Sequence, residues 1–188
     1  MDNGPARRAA DELVEVVDDR GAVVRLVTRA EMRAANLRHR SVAVVVITGA
    51  GEVVAHRRAA WKDVWPGRWD VCFGGVVGVG EGWRTAARRE LAEEAGVDVP
   101  EPALHDLGGG TFTDADVSAF SRVYAVTHDG PFHPADGEVA ELVLVPLAEL
   151  DGWLVGRSLC ADSDSLVVPL LRALGSGEPP LGPTQSGE

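Results

Sequence analysis

Gly75-Val76-Val77-Gly78-Val79-Gly80-Glu81-Gly82-Trp83-Arg84-Thr85-Ala86-Ala87-Arg88-Arg89-Glu90-Leu91-Ala92-Glu93-Glu94-Ala95-Gly96-Val97 is the stretch whose reading decides the fold. Its first part is glycine-rich, as a turn needs where backbone approaches a ligand closely. Thr85 to Ala95 is rich in Ala, Arg, Glu and Leu, which predicts a helix, and Gly96 stands where a left-handed stop belongs. At about 100° per residue, Glu90, Glu93 and Glu94 fall within roughly one third of the helix circumference. Three negative charges near the negative end of a helix repel one another and the helix dipole. A hard divalent cation offsets both, because Mg²⁺ or Mn²⁺ takes oxygen ligands and shares them with phosphate.

Arg89 lies about 100° around the helix from Glu90, so it is poorly placed to be a ligand itself. Glu81, in the turn before the helix, is its natural partner, and a bidentate pair would pin turn to helix. The whole pattern, Gly75, Glu81, Arg89, Glu90, Leu91, Glu93, Glu94, Gly96 and Val97, resembles the Nudix box at every specified position. The resemblance extends over residues 11–174. It implies an α+β chain folded as an α/β/α sandwich around a mixed β-sheet. It also implies a metal site of Glu90, Glu93, Glu94 and the carbonyl of Gly74, with Gly75, Glu81, Arg89 and Gly96 as structural support. A later loop carboxylate often adds a ligand or the base in such proteins; Glu138 is the first candidate and Glu141 the second, and water activation is open between Glu90 and these.

A chain of 188 residues fits one domain able to bury a full core. Residues 1–10 and the Gly-, Pro- and Ser-rich 175–188 read as mobile ends around a single domain at 11–174. A net charge of -11 argues against a long contact with nucleic acid, which needs basic residues against the phosphates. Small phosphorylated substrates remain compatible, since a bound metal inverts the local field. Cys72 and Cys160 lack metal-ligand spacing, and no segment reads as a signal peptide or membrane span. The expected setting is the cytoplasm, without a membrane or nucleic-acid partner. A homodimer is expected from family habit alone.

Along the chain, Leu13 to Val17 and Ala22 to Val27 predict a hairpin, and Thr28 caps a helix through Leu37 with Glu31 in a capping box. Ser41 to Thr48, nearly all Val and Ile, predicts a central strand covered on both faces. Further strands are expected at 52–57, 69–73, 103–108, 119–127 and 140–145, and helices at 146–150 and 165–174.

The segment from Trp61 to Asp70 holds three tryptophans in a chain only 5% aromatic. Trp65 and Trp69 with Arg57, Arg58 and Lys62 form a candidate substrate surface of stacking rings and phosphate-binding cations. The same stretch, with His39, is similar to isopentenyl-diphosphate isomerase, a relative sharing the fold. Isomerase catalysis uses a cysteine and a metal-binding histidine at positions that here are Gly74 and Val76. Cys72 lies two residues away with no histidine beside it, and the isomerase box is degenerate where this one is complete. The expected activity is therefore metal-dependent hydrolysis of a diphosphate linkage in a nucleoside-diphosphate-type substrate (NDP-X to NMP plus P-X). The alternatives are an isoprenoid-diphosphate enzyme and a non-catalytic nucleotide sensor.

Overall fold

The computed structural model describes residues 10–134 and 137–177; the expected mobile ends at 1–9 and 178–188 lie outside the described residues. The valine-rich run forms β3 (His39–Ile47), and its central position explains its composition. All nine of its residues pair in parallel with β8 (Ser118–Thr127). Its other edge meets three antiparallel partners: β1 (Leu13–Val17) at His39, β6 (Phe73–Val76) from Ser41 to Val44, and β4 (Glu52–Arg58) at Ile47. The sheet is mixed, as an α+β sandwich requires.

The single Ile47 to Val53 pairing is what opens the molecule. Beyond it β4 turns away from β3 to pair with β9 (Val139–Pro146) and with the short β5 (Trp69–Asp70). The expected strand at 69–73 is thus two strands: the chain pairs with β4, crosses at Val71 and Cys72, and joins β3 as β6. A cleft between diverging strands results.

The hairpin partner β2 (Val23–Thr28) leads into α1 (Arg29–Ala34), where Thr28 Oγ1 accepts the Glu31 N–H at 3.2 Å. This helix ends three residues short of Leu37, with Asn36 at a left-handed φ of 45°. The box helix, α2 (Trp83–Ala95), begins two residues earlier than expected and stops at Gly96, φ 68°. It lies on one face of the sheet, with Ala87 and Leu91 in one core together with Val42, Val44, Val46 and Phe73. Burying a side chain such as Leu91 contributes about 1.5–3 kcal/mol.

The opposite face is covered by α3 (Leu150–Leu154) and α4 (Val168–Ser176), the latter preceded by a π-helical turn at Ser163–Val167. Val45, Val123, Val168 and Leu171 share that second core. Since α4 runs to Ser176, residues 175 and 176 belong to the helix and not to the tail. β7 (His105–Thr113) starts two residues later than expected and runs past 108 because Gly109 and Gly110 continue the strand. A Cβ on Gly109 would strike the Ser121 carbonyl, so glycine here marks close packing of two strands.

Candidate active site

β6 delivers the chain to the turn before α2, and a set of polar contacts fixes that turn. Glu81 Oε2 accepts the Gly78 N–H at 2.8 Å, Glu15 Oε1 accepts the Gly80 N–H at 2.9 Å, and Arg40 donates to the Glu81 carbonyl at 3.0 Å. Arg89 then grips Glu81 with both arms, Nε to Oε1 and Nη2 to Oε2, each at 3.0 Å. Burial opposes the Glu81 charge, but the Arg89 and Gly78 hydrogen bonds outweigh it and hold the carboxyl below its usual range. Turn and helix are therefore locked together, with Nη2 also donating to the Val76 carbonyl at 3.2 Å.

Arg89 also reaches the neighbouring carboxylates: Nη1 donates to Glu90 Oε1 at 2.7 Å and to Glu93 Oε2 at 3.2 Å. The long side chain folds back along the helix, so an angle measured at Cα is a poor guide to where a guanidinium ends.

The three box glutamates are not equivalent. Glu90 and Glu94 turn inward and are 8% and 5% exposed, whereas Glu93 is exposed beside Arg89. Burial pushes the Glu90 carboxyl up. Burial, and then the charge of Glu90, push Glu94 well above the ordinary carboxylate range. Glu94 Oε2 accepts the Gly74 N–H at 2.9 Å, which ties the helix to β6. Among the described residues no three acidic, His or Cys side chains converge on one point. The donor chemistry nevertheless fits a hard divalent cation: two buried, mutually repelling carboxylates share the helix with a third, exposed one.

Gly75 is part of this fit, since a Cβ there would lie 2.6 Å from Glu90 Oε1. Gly75→Ala is expected to displace that flexible carboxylate at little cost to folding, with turnover falling at least about tenfold and Tm nearly unchanged. Steady-state kinetics beside a thermal melt checks this, and an unaltered kcat would remove Glu90 from the site.

Lys62 pairs with Glu138, and both act electrostatically on Glu94. The Glu138 carbonyl accepts the Ala59 N–H at 2.7 Å, which ties the residue just before β9 to the end of β4. Glu141, by contrast, is exposed on β9 opposite Arg57. Gly74, Gly75 and Glu94 line a cavity of about 110 Å³ together with Arg58, Trp65, Asp70 and Asp162.

Two members of the expected substrate surface are elsewhere. Arg57 is exposed and donates to the Gly67 carbonyl at 3.1 Å, because alternate residues of a strand face opposite ways. Trp69 packs edge-on against Trp153 at 5.1 Å and closes the second core. His39 is buried with Nδ1 on the Leu37 carbonyl, and Cys72 is a buried thiol that donates to Asp70 Oδ1 at 3.3 Å. Burial raises that thiol well above its usual value, so Cys72 is unsuited to nucleophilic or acid–base work.

The sequence reading singled out neither Asp162 nor Ser163 and gave Asp70 no role. They meet only because β5 and the π-helical turn are brought together in space: Ser163 Oγ donates to Asp70 Oδ1 at 2.6 Å across 93 positions.

The sequence matches the NUDIX domain family over residues 37–161, about two thirds of the chain. The chain belongs to the Nudix family. Among its Nudix relatives, an uncharacterized Nudix hydrolase of Streptomyces coelicolor is 40% identical over 152 residues, covering 78% of this chain and 81% of that one. The uncharacterized Nudix hydrolase YfcD of Escherichia coli K12 is 33% identical over 168 residues, covering 89% and 87%. The crystal structure of DR0079 from Deinococcus radiodurans superposes with a TM-score of 0.66 at 26% identity, covering 86% of this chain and 98% of that one. The NUDIX domain of Shewanella oneidensis NrtR, solved with ADP ribose, shares the fold at TM-score 0.59 and 21% identity, covering 79% and 99%. This Nudix protein is accordingly an enzyme, a pyrophosphohydrolase acting on acid anhydrides, and the sensor alternative is set aside. Nudix enzymes generally need divalent metal ions.

Proposed function

We propose that this enzyme hydrolyses the diphosphate linkage of a nucleoside-diphosphate-type substrate, NDP-X to NMP plus P-X, with Mg²⁺ or Mn²⁺. The observation that carries the reading is the buried Glu90 and Glu94 pair, of which Glu94 lines a cavity that Arg58, Asp70 and Asp162 line as well. Glu90 and Glu94, joined by Glu93 and the Gly74 carbonyl, would hold the ion. When bound, it would neutralise phosphate oxygens and make an attacking water more acidic. Arg89 and Glu81 keep Glu90 oriented, Gly74 N–H keeps Glu94 oriented, and Lys62 offers a cation to the phosphates. Glu90 and Glu138 are both candidates to accept the proton of the water; Arg89 bonds the first and Lys62 pairs with the second.

The isoprenoid alternative is disfavoured by the cavity, where an apolar tail would strip water from Arg58 and Asp162 without replacing its hydrogen bonds. Free, buried Cys72 and Cys160 agree with the proposed cytoplasmic setting. Among the described residues no helix is long and apolar enough to cross a membrane.

The reading is tested by measuring phosphate and nucleoside monophosphate release from nucleotides, sugar nucleotides, dinucleotides and isoprenoid diphosphates, with Mg²⁺, with Mn²⁺ and with chelator. Metal-dependent release that chelator abolishes is expected. Turnover that survives chelation, or an isoprenoid diphosphate converted with no phosphate released, would overturn it.

A further inference from the structure

Deep in the cavity, Arg58 and Asp162 line the same small space without pairing. Arg58 Nε and Nη2 both donate to the Val64 carbonyl, at 3.3 and 3.2 Å, and its Nη1 has no acceptor among the described residues. Asp162 Oδ1 accepts the Ser163 N–H at 2.7 Å, and its Oδ2 accepts no hydrogen bond among the described residues. No ion pair forms within 4.0 Å between Arg58 and any carboxylate among the described residues, although Asp70, 8% exposed, lines the same wall. A cation and a carboxylate held apart in an enclosed space are costly unless something bridges them. Arg58 and Asp162 are each part-exposed and line the cavity, so a ligand in it can reach both.

The remaining wall is flat and apolar. The Trp65 ring lies against the cavity with Val117 and Leu166, and packs edge-on against Phe112 at 6.0 Å. Its backbone holds φ 48°, a left-handed conformation that is strained for a bulky side chain and persists only where its surroundings enforce it.

Resting on the hydrolase reading above, we propose that this cavity is the base-recognition pocket of a nucleoside diphosphate substrate, with Asp162 and Arg58 selecting a base that carries an exocyclic amino group. The amino group donates to Asp162 Oδ2, the neighbouring ring nitrogen or carbonyl accepts from Arg58 Nη1, and Trp65 covers the ring face. A base with a carbonyl in place of the amino group turns lone pairs against the carboxylate. Discrimination of this kind is strong because the unmatched buried group is left without a partner. Burial and the charge of Asp70 push Asp162 up to about 7, so the ionised form is best examined at pH 8.

The test is binding of nucleoside monophosphates to the full-length protein by tryptophan fluorescence at pH 8, comparing CMP with UMP, AMP with IMP and GMP with XMP, in wild type and in Asp162→Asn. Asparagine keeps an oxygen for the Ser163 N–H, so the loop is retained. In wild type at least one amino-bearing ligand is expected to bind about tenfold or more tighter than its oxo counterpart. In Asp162→Asn the preference should shrink to about twofold or invert. Equal binding within every pair, no binding at all, or an undiminished preference in the variant overturns the proposal. Metal-dependent but base-indifferent turnover would sink the pocket and leave the hydrolase standing. Amino-selective binding without diphosphate turnover would do the reverse.

Discussion

Replacing Glu94 by Gln should lower kcat by about two to four orders of magnitude while leaving the fold at least as stable as wild type. The geometry separates the two effects. Glu94 accepts the Gly74 N–H through one oxygen, which Gln can also supply, so the tie between α2 and β6 survives. What the variant removes is a charge that burial and Glu90 both disfavour. A carboxyl whose folded pKa lies above its unfolded value costs stability once the pH exceeds the unfolded value near 4.3. At neutral pH the charge is thus a burden on folding, retained at a position where a cation would use it. Steady-state kinetics and a thermal melt on the same preparation decide the matter. Near-normal turnover would refute the site assignment, and a collapsed Tm would show that Glu94 is needed for the fold itself.

Much of this was legible in the sequence, for identifiable reasons. Helix spacing and a left-handed glycine are local properties, so the box helix, its stop at Gly96 and the reach of Arg89 to Glu81 followed from offsets alone. The central strand was legible because only a strand covered on both faces carries an unbroken run of Val and Ile. The offsets could not tell that Glu93 faces water while Glu90 and Glu94 are buried, because that depends on how α2 is rolled against the sheet. Nor could composition separate Trp65 from Trp69, one on the cavity and the other against Trp153. Asp162 was silent for the same reason: what brings it near Arg58 is the pairing of β4 with β5 and the hydrogen bond from Ser163 to Asp70, tertiary events with no short-range signal.

The second large effect is on acid stability, and it comes from histidines away from the box carboxylates. His39 and His56 are each 2% exposed, and burial lowers each to about 4 from an ordinary 6.5. His56 stacks on Phe73 at 4.7 Å, and its Nδ1 has no hydrogen-bond partner among the described residues, so the fold holds it neutral. Below pH 6.5 the unfolded chain takes up a proton that the folded chain refuses. Stability that is fully present above 6.5 is then lost as the pH falls towards 4, by up to about 3 kcal/mol for each histidine. Glu90, Glu94 and Asp162 act in the opposite sense, because their raised values let the folded state bind protons first. Total stability against pH therefore mixes both signs, and a variant isolates one of them. His56→Phe keeps a flat ring against Phe73 and removes the titrating group. Between pH 7.5 and 4.5, urea unfolding of wild type should lose about 2–3 kcal/mol more than the variant loses. Parallel losses in the two proteins would mean that His56 is protonated in the folded state, with water or a polar partner reaching Nδ1.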